Sequence, residues 1–450
     1  MSSPVSTLSN FNGIDFNVIL NAVIQQASQP MYTLQTKQAN NTKERTAFGT
    51  LATKLGNLET AATELSTQSQ AVDFTASVSD STALSVTATS SAQAGTYSLV
   101  VDHLAKAQAT ASTSFAADSD TTVVATGGKL TIGGVEVSLS GSVTLGDLAS
   151  AINTTTDMKV SAAVVQTAPA QYRLMLTAKD TGTANAFTVT NNLTGGAGVT
   201  FGGNTVEATD AGLTLNGLSI VSSSNTLTAA IPGATVDLLS ADATKTVSVT
   251  IANDDDALKG KIDDVISAYN DVVNFMQAQA NSAASGNDGT IAHEPLLAQL
   301  RNDLRSVLSG SYGTDTFKGL AEVGVGFDQT GKMTLDKTVL SDALEADRTA
   351  VFSLFVGTKT NSTGFTNGAF GTLRESIDAY TRAGGFVLAA QTRIDKSNQR
   401  LSDQIADMQA RLLVQREALQ REYTAAEQAM TQLKAQSGNL SSTMSPTQNA

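Results

Sequence analysis

The sequence predicts an α+β multidomain protein. Terminal helices form a coiled-coil or helical-bundle stalk, and two β-rich head domains are inserted between them. Three observations carry this reading. Apolar residues recur with helical spacing at both ends of the chain and with a period of two through its middle. The last helical run, about 391–434, holds no Gly or Pro and spans roughly 65 Å at about 1.5 Å per residue. Its apolar seam needs a partner, and a second helical run near the N-terminus supplies one.

Composition narrows the class. A chain of 450 residues is long enough for several domains, each with its own core. Its net charge of −13 disfavours non-specific binding to nucleic acid or anionic lipid. Cys is absent, which excludes disulfides, thiolate catalysis and Cys-ligated metal sites. The first basic residue is Lys37, and Asn17 and Asn21 interrupt the apolar cluster around them, so no Sec-type signal is expected. No run approaches the roughly 18 apolar residues of a membrane span, so no membrane insertion is expected.

The elements follow in order. Asp15 suits the N-cap of a helix with Phe16, Ile19, Leu20, Val23, Ile24 and Ala27 on one face. Pro30 ends or kinks it. A second helix, about 31–67, carries Phe48, Leu51, Leu55, Leu58, Ala62 and Leu65 on its seam. Its earlier seam positions, among them Lys37, Asn41 and Glu44, are polar, which suits a half that orders on assembly. From Asp73 the period switches to two, with strands over 74–78, 84–88 and 96–101. Gly133-Gly134 signals a hairpin, and a short helix at 145–152 follows. Further strands cover 160–165, 172–178, 187–190, 213–215, 218–221, 234–239 and 246–251.

Helical spacing returns over 256–281, 296–308, 339–355 and 370–383, with a β-hairpin near 317–335 and Gly384-Gly385 before the last helix. That helix has its seam at Ile394, Leu401, Ile405, Met408, Leu412 and Leu419, with Asn398 and Gln415 as polar exceptions. The pattern restarts at Tyr423 after a four-plus-four step, a stutter that unwinds a supercoil locally. The expected domains are therefore 1–72, a first head from 73–120 plus 207–252, an inserted second head at 121–206, a helical stalk at 253–390 and a C-terminal coiled-coil helix with a flexible tail at 391–450.

Sites that imitate chemistry have plainer readings. Residues 326–332 fit the start of a phosphate-binding P-loop, but Met333 stands where a hydroxyl would ligate Mg²⁺, and the flanks alternate like strands. A hairpin turn is expected there. Asp254-Asp255-Asp256 precedes an apolar-periodic run, where carboxylates offset the helix dipole. The Gly-rich stretch 195–203 has Phe201 where a dinucleotide fingerprint needs Gly, and reads as a mobile tip. The two imidazoles, His103 and His293, lie in different expected domains. No catalytic residue, cofactor or metal is expected, and the chain reads as non-enzymatic.

Several segments resemble the bacterial flagellar filament cap, or hook-associated protein 2, family over essentially the whole chain. Gly13-Ile14-Asp15-Phe16 with Ile19 and Leu20 is similar to its N-terminal signature, and Phe48-Gly49-Thr50-Leu51 to its following helix. Ala94-Gly95-Thr96-Tyr97-Ser98-Leu99 resembles the start of its β region. Leu213-Thr214-Leu215-Asn216-Gly217 with Ile231-Pro232-Gly233 is the most specific match. Ala268-Tyr269-Asn270-Asp271 and Gly319-Leu320-Ala321-Glu322 add to it.

The resemblance implies a secreted assembly factor at the distal filament tip that forms a ring-like homo-oligomer, guides flagellin folding and insertion, and prevents flagellin loss. It implies flagellin or hook-filament junction proteins as partners of Phe16, Ile19, Leu20, Val23 and Ile24. A type III export chaperone is the implied partner of Met430, Leu433 and Leu440. For each of these residues ordinary bundle core is the competing reading, and for Leu401, Ile405 and Leu412 core is the expected one. Two other classes stay open at this point: a flagellin-like or hook-junction axial subunit, and a tip adhesin whose β domains bind host or surface glycans.

Overall fold

The computed structural model describes residues 10–11, 14–114, 116–313, 316–359 and 365–443. Among these the helices are α1 (Phe16–Ala27), α2 (Gln29–Thr63), α3 (Gln68–Ala71), α4 (Leu145–Thr154), α5 (Asp255–Ala284), α6 (Pro295–Leu308), α7 (Lys337–Val356), α8 (Ala369–Thr381) and α9 (Phe386–Thr443). The fold has two compact units. One is built from both chain ends, up to Ala71 and from Lys259 onward; the other is Val72–Leu258.

The chain-end unit is helical. Asp15 caps α1, its carboxylate accepting from the Asn17 amide at 2.9 Å and the Val18 amide at 3.3 Å. Ser28 is the joint to α2, and Pro30 falls in the first turn of α2, where a missing N–H is harmless. Pro30 therefore separates two helices without breaking either. Phe48, Leu51, Leu55 and Leu58 are fully buried, and α2 packs on both α8 and α9.

The register of α2 against α9 differs from a simple pairing of the two apolar seams. The helices run antiparallel, since Gln391 reaches the Arg45 carbonyl at 3.5 Å and Gln38 the Asn398 carbonyl at 3.5 Å. Ile394, Leu401 and Ile405 are buried along the polar half of α2, while Met408, Leu412 and Leu419 are only half-buried. The part of α2 after Gly49 lies beyond this pairing. Near its end Thr381 of α8 donates to Glu59 at 2.9 Å. The cause is the short turn at Gly384, which has φ +79°, so that α9 starts where α8 stops. Spacing reveals a seam, but not which seam it meets. The last helix also begins earlier than expected, at Phe386, and its 58 residues span about 87 Å.

Two further expectations need adjustment. The hairpin near 317–335 is shorter, pairing Val325–Phe327 with Met333–Leu335 after a 3₁₀ turn at Leu320–Val323. Helix α7 is kinked at Asp347, whose carboxylate recaps the chain by accepting from the Ala350 amide at 2.9 Å. The Asp254 carboxylate accepts from the Ala257 amide at 2.9 Å, at the start of α5.

The Val72–Leu258 unit is antiparallel β. A five-stranded sheet runs in the order Leu218–Ser222, Ala211–Leu215, Gly95–His103, Asp242–Asn253, Phe74–Val78. A three-stranded sheet of Thr226–Ile231, Ala234–Leu238 and Leu84–Ala88 shares its core, around Leu99, Leu213, Val236 and Val249. A second core, around Leu130, Leu148, Ile152 and Leu174, lies between two smaller sheets and α4. Thr144 and Asp147 close a capping box at the start of α4. Ala125–Ile132 and Val135–Val143 form the hairpin expected at Gly133-Gly134.

The strand Ala109–Ala111 pairs with Gln171–Ala178, and Ala116 packs in the second core. Ala109–Ala111 and Ala116 therefore go with the inserted sheets rather than with the first head. Alternation marks a strand but not the sheet it joins.

Candidate assembly interfaces

The N-terminal set of candidate interface residues splits in two. Phe16 and Leu20 are buried against α9, with Ile24, Leu419, Tyr423 and Met430 around them. The Phe16 and Tyr423 rings lie 5.5 Å apart at 31°. Val23 and Ile24 are half-buried, and Ile19 is 39% exposed. At the other end Met430 joins this cluster, while Leu433 and Leu440 are 64% and 66% exposed. An extended antiparallel helix pair results, with Phe16 to Gly49 on one side and the 391–430 part of α9 on the other.

Between its apolar ends the pair is held by polar contacts. Asn41 donates to the Ser397 hydroxyl at 3.2 Å, and Arg45 pairs with Asp395 at 2.5 Å. The Asn398 side-chain oxygen is buried and has no hydrogen-bond partner among the described residues. Arg393 pairs with Glu294 at 2.7 Å, and the Glu44 carboxyl lies close enough to feel both. Burial and the Glu294 charge push the Glu44 carboxyl above its usual range, with Arg393 opposing them. Polar seams of this kind give register at the expense of stability.

Sequence reasoning missed the large apolar side chains on solvated faces. Val18, Leu413 and Val414 are 60–63% exposed. On the edge strand of the five-stranded sheet, Leu218 and Val221 are 72% and 70% exposed. The available signal was that Leu413 and Val414 fall off the seam that Leu412 continues.

The P-loop-like stretch is a tight turn. The Asp328 carboxylate accepts from the Thr330 amide and hydroxyl, each at 2.7 Å, and from the Lys332 amide at 3.0 Å. These bonds hold the carboxyl below its usual range. The Asp328, Thr330, Gly331 and Lys332 amides are already engaged within the turn.

Comparison with known proteins gives a consistent result. The family model for the flagellar hook-associated protein 2 C-terminus matches residues 208–435, and that for its N-terminus matches residues 12–108. Flagellar hook-associated protein 2 of Escherichia coli strain K12 is 28% identical over 97% of each chain. The A-type flagellar hook-associated protein 2 of Pseudomonas aeruginosa is 26% identical, over 98% of this chain and 97% of its own. Among solved structures, the D1-D2-D3 domains of the flagellar cap protein FliD from Escherichia coli superpose with a TM-score of 0.65 at 29% identity. The match covers 77% of this chain and 99% of that one.

Proposed function

The chain belongs to the flagellar hook-associated protein 2 family, and from that premise we propose how its parts serve the cap at the distal end of the bacterial flagellar filament. It is a structural component of the flagellum, located at the filament tip. The Val72–Leu258 unit associates with copies of itself into a closed ring, and the chain-end unit meets the filament. Ile19, Val23 and Ile24 contact flagellin or hook-filament junction proteins, and the exposed Val18 beside them extends that face. Leu433 and Leu440 engage an export chaperone before secretion. Closed rings suit a cap because they end growth of the assembly rather than propagate it.

One observation carries this reading. Both family-matched regions contain the helices that pair, α1 and α2 in the first and most of α9 in the second. The test is deletion and complementation in a flagellated host. Loss of filaments with monomeric flagellin in the medium, restored by this chain, is the expected outcome; normal filaments without it contradict the reading.

A further inference from the structure

The chain-end unit holds a groove of about 620 Å³ between α5, α6 and the turn after Phe327, away from the α2–α9 pairing. One wall is a stripe on α5, where Tyr269, Val273, Met276 and Ala280 share a face. The other is the α6 face bearing Ala298, Arg301 and Arg305. Leu300, Leu304 and Leu308 are buried on the adjoining flank of α6, while Leu297, Arg301 and Arg305 all line the groove. Phe327 closes one end, edge-on to Tyr269 at 5.9 Å, and the Tyr269 hydroxyl donates to the Gly331 carbonyl at 3.3 Å.

The groove's electrostatics run against those of the whole chain. Arg301 and Arg305 are exposed, and among the described residues neither guanidinium is ion-paired. Among the described lining residues the one carboxylate, Asp328, is bound into its own turn. An apolar trough edged by two uncommitted cations, on a protein of net charge −13, is complementary to an acidic segment with an apolar face. The α5 stripe from Tyr269 to Ala280 is about 16 Å long, the length of three helical turns.

We propose that this groove receives an acidic amphipathic helix of the flagellin subunit being added beneath the cap. Apolar side chains seat on Val273 and Met276, and carboxylates spaced one turn apart pair with Arg301 and Arg305. The proposal rests on the capping function and names the chemistry of one contact within it.

The test measures binding of the full chain to monomeric flagellin from the same bacterium, at low and at high salt. The double variant Arg301→Glu/Arg305→Glu is expected to bind about tenfold or more weakly and to lose most of the salt dependence. Ala298→Trp, which fills the groove and leaves both arginines in place, is expected to weaken binding similarly. Wild-type affinity in both variants overturns the proposal. So does loss of ring formation with flagellin binding intact, which would make a second copy the occupant. If the unaltered chain neither binds flagellin nor restores filaments to a cap-deleted strain, the capping function fails with it. Restored filaments together with variant-insensitive binding sink this contact alone.

Discussion

Glu44 shows how single residues tune the helix pair. Its neighbours are Glu294 and Arg393, and burial with the Glu294 charge raises its pKa above the ordinary 4.5. Between that value and the raised one the folded chain holds more protons than the unfolded chain, so this group's contribution to stability falls as pH rises through the window. Glu44→Gln removes the penalty. Thermal unfolding is expected to show the variant more stable than the parent at neutral pH, with the gain gone below about pH 4.5. A gain that persists or grows in acid would contradict this assignment. Nothing in the sequence announced the role, because Glu294 and Arg393 reach Glu44 only through tertiary packing.

At the scale of elements, the helix pair has an aromatic clasp at one end and a polar middle. Phe16→Ala removes the ring that stacks near Tyr423 and is expected to cost about 3 kcal/mol of local stability. Hydrogen exchange should show faster opening of α1 and of α9 around Tyr423, with the amides near Phe48 unchanged; uniform loss across the unit would argue against a local clasp. Asn398→Leu replaces a buried side-chain oxygen, unpartnered among the described residues, with an apolar group on the seam. It is expected to stabilise the unit by about 1 kcal/mol in denaturant unfolding; destabilisation would mean that the oxygen is satisfied. The helices themselves were legible, since Asp15 and the three–four spacing mark α1 and the Gly-free run marks α9. The pairing was legible only in outline. Phe48 to Leu58 and Ile394 to Leu419 look like matched seams, yet the turn at Gly384 places Gln391 against Arg45 and offsets them.

Across the whole molecule, sequence periodicity separated the helical ends from the β middle close to where the two compact units divide. The assignment of Ala109–Ala111 to a sheet was not legible, because this strand finds its partner more than sixty residues away in Gln171–Ala178. The groove beside Arg301 was invisible for the same reason: its walls come from α5, α6 and the Phe327 turn, which no local pattern joins. What unites the chain is that its two extremities meet.

Because the chain has no Cys, paired cysteines test that claim without background. Asn41→Cys with Ser397→Cys places thiols where side chains now hydrogen-bond at 3.2 Å. Mild oxidation of the purified full chain, followed by non-reducing electrophoresis, should give an intrachain cross-link in high yield. The pair Leu58→Cys with Leu401→Cys, which would meet if the two apolar seams zipped together, should stay reduced. A cross-link between 58 and 401 with none between 41 and 397 would contradict the antiparallel pairing described here.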